Sequence, residues 1–207
     1  MSAVAFASLE WNSTPMPGSN APVQLARLPH AADGAFRAFV RFPAGWARPG
    51  AGHYPVAEEI FILEGDLRLN NMTWRAGGYA WIPANRVRSD SRSESGCLAF
   101  AWFASAPRWA PGEPAEPARP DDRTYAHWLD APERALGDTG SGRRLYDGPE
   151  HHTWVVERQQ LAPLAASWMR CETLRLRDRA WCSDAAQEPR DDLTSAVLAR
   201  VWADPNY

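Results

Sequence analysis

The sequence predicts an all-β fold, and three observations predict it. Apolar segments are short and are separated by turn signals, with 18 Pro and 14 Gly distributed among them. No stretch sustains a 3.6-residue apolar period. Eleven Trp in 207 residues supply large rings for a core or for pocket walls. Many short strands joined by Gly and Pro turns indicate a barrel or a sandwich.

In chain order, strands are predicted at 23–28, 35–42, 59–63, 66–69, 72–74, 78–82 and 97–103. The turn signals AADG, FPAG, RPGAG, LEGD, LNN, AGG and IPAN separate them. Residues 106–122, APRWAPGEPAEPARPDD, are rich in Pro and nearly free of aliphatic side chains. They read as an exposed, semi-rigid linker or strap. Beyond it, 143–146, 153–159, 168–176 and 193–202 again read as strands, the last fitting a short helix as well.

The two halves echo one another in the same order. Residues 35–46 can be laid against 152–164, 67–77 against 174–183, and 98–107 against 197–205. A duplicated module would give that order, although alternating patterns are common to all β proteins.

Composition excludes several classes of function. Apolar residues at 45% and charged residues at 23% are ordinary for a globular chain. All 22 basic residues are Arg, and the net charge is −3 with Arg and acids interleaved, which argues against a nucleic-acid stripe. No run of 18 apolar residues exists to cross a bilayer, and the N-terminus has no basic region of the signal-peptide kind. Three cysteines without CxxC spacing fit reduced core thiols and a cytoplasmic location. No Ser-His-Asp order, P-loop, GxGxxG or HExxH is present.

The informative segment runs from Gly45 to Arg92. It reads Gly45, Ala51, His53, Glu58 and Gly65, followed by Gly77, Pro83, Asn85, Arg88 and Arg92. This spacing resembles the two motifs of the cupin superfamily, G-x5-H-x-H-x3/4-E-x6-G and G-x5-P-x-G-x2-H-x3-N. The run EEIFILEGDL and the late Gly96-Cys97 strand are most similar to cupin domains of the anti-sigma-factor and bicupin type. The resemblance implies an all-β jelly-roll barrel over residues 1–110. A Pro-rich linker at 111–122 and a degenerate cupin-like half at 123–207, completing a bicupin, would follow.

The family often holds one divalent metal through three His and one Glu, and this chain departs from that set. Ala51 and Arg88 stand at two His positions, which leaves His53 and Glu58. A second register sets Gly52 and Tyr54 at the first-motif His positions and leaves only the Glu. The first register is preferred because it also places Gly45. An inward Glu58 without a cation would be a buried, unpaired carboxylate. Arg88 at the facing position supplies a fixed positive charge and five donors, so a Glu58–Arg88 ion pair is expected where the metal sits in the family. Replacement ligands would have to come from His30, His127, His151, His152 or Glu59; the His151–His152 pair reads more simply as a surface strand start, and His127 as structural or solvated.

Three functions follow from the resemblance. The first is a metal-independent enzyme of isomerase, cyclase or lyase type acting on a polar or anionic small molecule. In it His53 is the base, Arg88 holds a carboxylate or oxyanion, Tyr54 donates a proton, Glu58 balances Arg88, and Trp81, Trp102 and Arg86 line the substrate pocket. The second is a metal-dependent dioxygenase using Fe, Zn, Mn or Ni on His53 and Glu58. The third is a non-catalytic small-molecule-binding barrel. The expected partners are a small-molecule ligand and a second copy of the chain, with no nucleic acid and no membrane.

Overall fold

The computed structural model describes residues 3–29, 34–120, 122–136, 140–166, 168, 170–183 and 196–202. His30 lies outside them. The apolar segments marked above become strands. In the first domain these are β1 (Asn12–Thr14), β2 (Val23–Arg27), β3 (Phe36–Phe42), β4 (Trp46–Arg48), β5 (Gly52–His53) and β6 (Glu58–Leu69). β7 (Met72–Arg75), β8 (Tyr79–Ile82), β9 (Ser91–Ser93), β10 (Cys97–Phe103), β11 (Ala110–Pro111) and β12 (Arg123–Tyr125) complete it. The second domain holds β13 (Glu133–Leu136), β14 (Gly140–Asp147), β15 (His151–Glu157), β16 (Arg170–Arg175), β17 (Trp181–Cys182) and β18 (Ala196–Trp202). One short helix, α1 (Leu161–Ala166), follows β15; its sequence was not read as helical.

In the first domain the long strand β6 serves both sides of the barrel. Its first half pairs with β8 and β10, and its second half with β7 and β9. The sequence predicts a turn at LEGD, between two strands. Instead, Gly65 sits within one strand at φ 72°, beside a register shift opposite Leu98 and Ala99. A β-bulge turns the strand there without ending it. A Cβ on Gly65 would meet the Gly96 carbonyl oxygen at 1.8 Å, so only Gly allows the two backbones to approach. Inside, Val23, Phe36, Val40, Trp46, Ile62 and Leu67 form the apolar core. Phe39, Trp81 and Trp102 are buried on the opposite face of the same strands, with Phe100 half-buried against Phe39. Both faces of this sheet are therefore covered, unlike a half-solvated antiparallel sheet.

The domain boundaries differ from those expected at 1–110, 111–122 and 123–207. One unit spans Glu10–His127, and the other joins Met1–Leu9 to Trp128–Tyr207. Val4 exchanges both backbone hydrogen bonds with Trp181, at 2.7 and 3.0 Å, which ties the N-terminal segment to β17. The Pro-rich stretch is no free linker. Its β11 pairs with β5, and β12 just beyond it pairs with β8, so the stretch closes over the first barrel as a strap. Proline is tolerated there because these pairings are two or three residues long and lie at sheet edges.

The second domain is a six-stranded sheet in the order β13-β14-β15-β18-β16-β17, antiparallel throughout. Its run β14-β15-β18-β16-β17 has the same order, counted along the chain, as β2-β3-β10-β6-β7 in the first domain. The echoed segments fall on equivalent strands: β3 with β15, the β6–β7 hairpin with β16–β17, and β10 with β18. Trp154, Val156, Leu161, Leu164, Val197 and Val201 build its core. No helix among the described residues is long and apolar enough to cross a membrane.

Candidate functional site

The first barrel encloses a cavity of about 390 Å³. Phe36, Val40, Phe42, Ile60, Leu67 and Phe103 give it apolar walls. Its mouth is edged by residues 14–17 and by Ala106–Trp109 of the strap. Among the described residues, the buried polar side chains that line it are Arg48, Tyr54, Glu58 and Arg88.

Glu58 opens β6 and Arg88 follows β8, and the fold brings the two together. The Arg88 guanidinium donates to the Glu58 carboxylate, with both side chains at most 6% exposed. The backbone of Arg88 is fixed by Gly52, with Gly52 N donating to Arg88 O at 3.0 Å and Arg88 N to Gly52 O at 2.8 Å. Burying each ion separately would cost several kcal/mol, and the pair offsets that through its own attraction. The guanidinium carbon of Arg88 also lies 4.7 Å from the centre of the Tyr54 ring.

Tyr54 links this pair to a second buried cation that sequence reasoning did not identify. On β4 the side chains alternate, so Trp46 and Arg48 face inward while Ala47 does not share their burial. Arg48 is 3% exposed, and its guanidinium stacks 3.5 Å from the centre of the Trp109 ring in the strap. Its Nη1 donates to Tyr54 Oη at a long 3.4 Å, and its Nε has no hydrogen-bond partner. Among the described residues no carboxylate pairs with it. The available signals were the Trp-x-Arg alternation at 46–48 and a lone Trp inside the Pro-rich stretch.

The structure removes four expected residues from this cavity. His53 turns the other way: its Nδ1–H donates to the Gly112 carbonyl oxygen of the strap at 3.1 Å, and it is not part of the cavity wall. Side chains on a strand alternate, so an inward Tyr54 requires an outward His53. The register that sets Gly52 and Tyr54 at the family's His positions is the one adopted. Trp81 and Trp102 lie 6.4 Å apart on the opposite side of the sheet, because Ala80 and Ile82 beside the first and Ala101 and Phe103 beside the second take the inward positions. Arg86 forms a two-point ion pair with Asp122, Nη2 at 2.5 Å and Nε at 3.0 Å, and anchors the strap.

The other candidate ligands are engaged elsewhere. Glu59 accepts from Tyr79 Oη at 2.5 Å on the sheet face opposite Glu58. His127 lies against Gly77, where a Cβ would meet its ring at 2.2 Å. In the second domain His151 packs on Tyr146 and Trp202, and burial pushes its imidazole down to about 4. His152 meets Asp147 at 2.6 Å, and burial lowers its basicity too. Burial, reinforced by Asp66 and Glu64, pushes the Cys97 thiol up to about 12, which suits a packing residue rather than a nucleophile.

The cavity donors do not fit the divalent metal of the resemblance. Arg88 stands at a ligand position and cannot coordinate, since a guanidinium only donates. It occupies the Glu58 oxygen that a metal would use. Among the described residues no three His, Cys, Asp or Glu side chains come together as a metal site.

No protein-family model matches the chain, and no curated protein matches it. Solved structures do. The chain is similar to a putative dioxygenase from Nostoc punctiforme PCC 73102, at 14% identity over 98% of this chain and 78% of that one, with a TM-score of 0.63. It is also similar to the protein Ylba from E. coli, at 9% identity over 97% of this chain and 85% of that one, with a TM-score of 0.52. At these identities the likeness establishes architecture, which is cupin-type and nearly all β.

Proposed function

We propose that this cupin-fold chain binds a small organic molecule inside its first barrel and acts on it without a metal ion. The observation that carries this reading is the buried Glu58–Arg88 pair in the cavity wall, which balances charge where the family's cation would sit. The reaction class that fits is isomerisation, cyclisation or elimination, because these need only proton movement and charge stabilisation. Tyr54 and Glu58 are the proton-carrying groups that reach the cavity, with Arg88 and Arg48 as fixed positive charge. A second reading, binding without turnover, is favoured by the outward turn of His53, which leaves the cavity without an imidazole base.

The equivalent strand order of the two domains supports a bicupin arising by duplication. Three buried cysteines without CxxC spacing support a cytoplasmic setting. The edge strand β13 offers a backbone edge on which a second copy can pair to give a homodimer.

Elemental analysis of protein purified without chelator tests the metal-free reading. Stoichiometric Fe, Zn, Mn or Ni that is lost in Glu58→Gln would overturn it. Binding of the dye 8-anilinonaphthalene-1-sulfonate tests the pocket. Ala101→Phe, which fills the cavity from β10, is expected to abolish dye binding in a chain whose near-ultraviolet circular dichroism is unchanged. Undiminished dye binding in that variant would place the ligand site elsewhere.

A further inference from the structure

We infer that the ligand of the first barrel is a small monoanion, a carboxylate carried on an apolar body, and that Arg48 is the residue that holds the carboxylate. This rests on the pocket reading above and names its ligand class. Arg48 is 97% buried by its 3% exposure, lines the cavity, and has neither a carboxylate partner among the described residues nor a partner for its Nε. Arg88, by contrast, is already neutralised by Glu58.

Charge counting sets the valence. Among the described residues, two guanidiniums and one carboxylate are buried in this wall, which gives one surplus positive charge. A neutral ligand leaves it uncompensated, and a dianion overshoots it. Arg27 and Arg108 also edge the cavity, but both are exposed and water-screened, so they steer an anion inward without fixing its charge.

The hydrogen-bond inventory sets the headgroup. Stacking on Trp109 holds the Arg48 fork in one plane, which suits a planar carboxylate. Tyr54 Oη accepts from Arg48, so its own hydrogen is directed to another acceptor, and no acceptor within the protein takes it among the described residues. A carboxylate beside Arg48 would satisfy both groups. Phe36, Val40, Phe42, Ile60, Leu67 and Phe103 offer apolar surface for the rest of the ligand.

Calorimetric titration of the full chain with octanoate and with 1-octanol, matched in chain length, tests the inference. Octanoate is expected to bind at least about tenfold more tightly, as a charge-assisted contact in a dry site requires. In Arg48→Met, which keeps an apolar side chain against Trp109, that preference is expected to fall to within about threefold while 1-octanol still binds. Arg48→Gln, which keeps a polar side chain of similar reach but removes the charge, is expected to lose the preference in the same way, which decides the matter should the Met variant fail to fold. Equal binding of the two probes to the native chain, or an undiminished preference in Arg48→Met, would overturn the role of Arg48 and leave the pocket standing. Binding of neither probe would overturn the pocket reading itself, and this inference with it.

Discussion

Gly52 and Arg88 exchange both of their backbone hydrogen bonds, and Gly52 has no side chain to keep the strap away. A Cβ at this position would meet Trp109 Cζ2 at 2.3 Å and the Ala110 carbonyl oxygen at 2.6 Å. The bare backbone of Gly52 therefore sets the position of Trp109, and through it the position of Arg48. Gly52→Ala is expected to displace the indole and to destabilise the first domain by about 1–3 kcal/mol, as overpacking does. Urea unfolding followed by Trp fluorescence checks it; an unchanged midpoint and emission maximum would count against the contact.

Removing one member of the buried pair is expected to be far worse than removing both. Arg88→Met strands Glu58 beneath the surface and should lower stability by about 3–5 kcal/mol. The double variant Arg88→Met with Glu58→Gln should recover most of that loss, because no uncompensated charge remains. A double-mutant cycle in denaturant reads the difference, and additive single effects would show that the two side chains are not coupled.

The second domain is expected to weaken in mild acid. Burial holds His151 down to about 4 from an ordinary 6.5, against the opposing pull of Glu150 and Glu172. The unfolded chain therefore takes up a proton that the folded one refuses. The contribution is complete above about pH 6.5 and is lost as pH falls from there to about 4, amounting to roughly 3 kcal/mol. His152, also lowered by burial, acts in the same direction. His151→Gln should flatten this dependence. An NMR titration giving His151 a midpoint near 6.5 in the folded state would refute it.

The barrel was legible in the sequence because its strands are short, alternate, and end in Gly and Pro turns. Strand β10 was read with its observed ends, and the ordered echoes fall on equivalent strands. The inward faces were less legible, for two physical reasons. A one-residue choice of register at 51–54 reverses every side chain, and the motif spacing favoured the reversed one for His53. Strands buried on both faces carry no polar stripe to tell inside from outside, so Trp81 and Trp102 looked like pocket walls. Arg48 was hidden for a different reason. An Arg ordinarily marks a solvated position, and its burial here depends on Trp109, which arrives from a segment that composition assigned to solvent.

In both domains the strand synthesised last among the shared five lies in the middle of the sheet: β10 between β3 and β6, and β18 between β15 and β16. A chain growing from the ribosome therefore presents β13-β14-β15 and β16-β17 as two separate ribbons with unsatisfied inner edges. No local hairpin can join them, and the closing contacts are long-range ones of the slow, aggregation-exposed kind. Once Ala196–Trp202 emerges, it hydrogen-bonds to both ribbons at once, and Val197, Ala199 and Val201 complete the core in the same step. The sheet of the second domain therefore cannot be completed until its seven-residue central strand has been made.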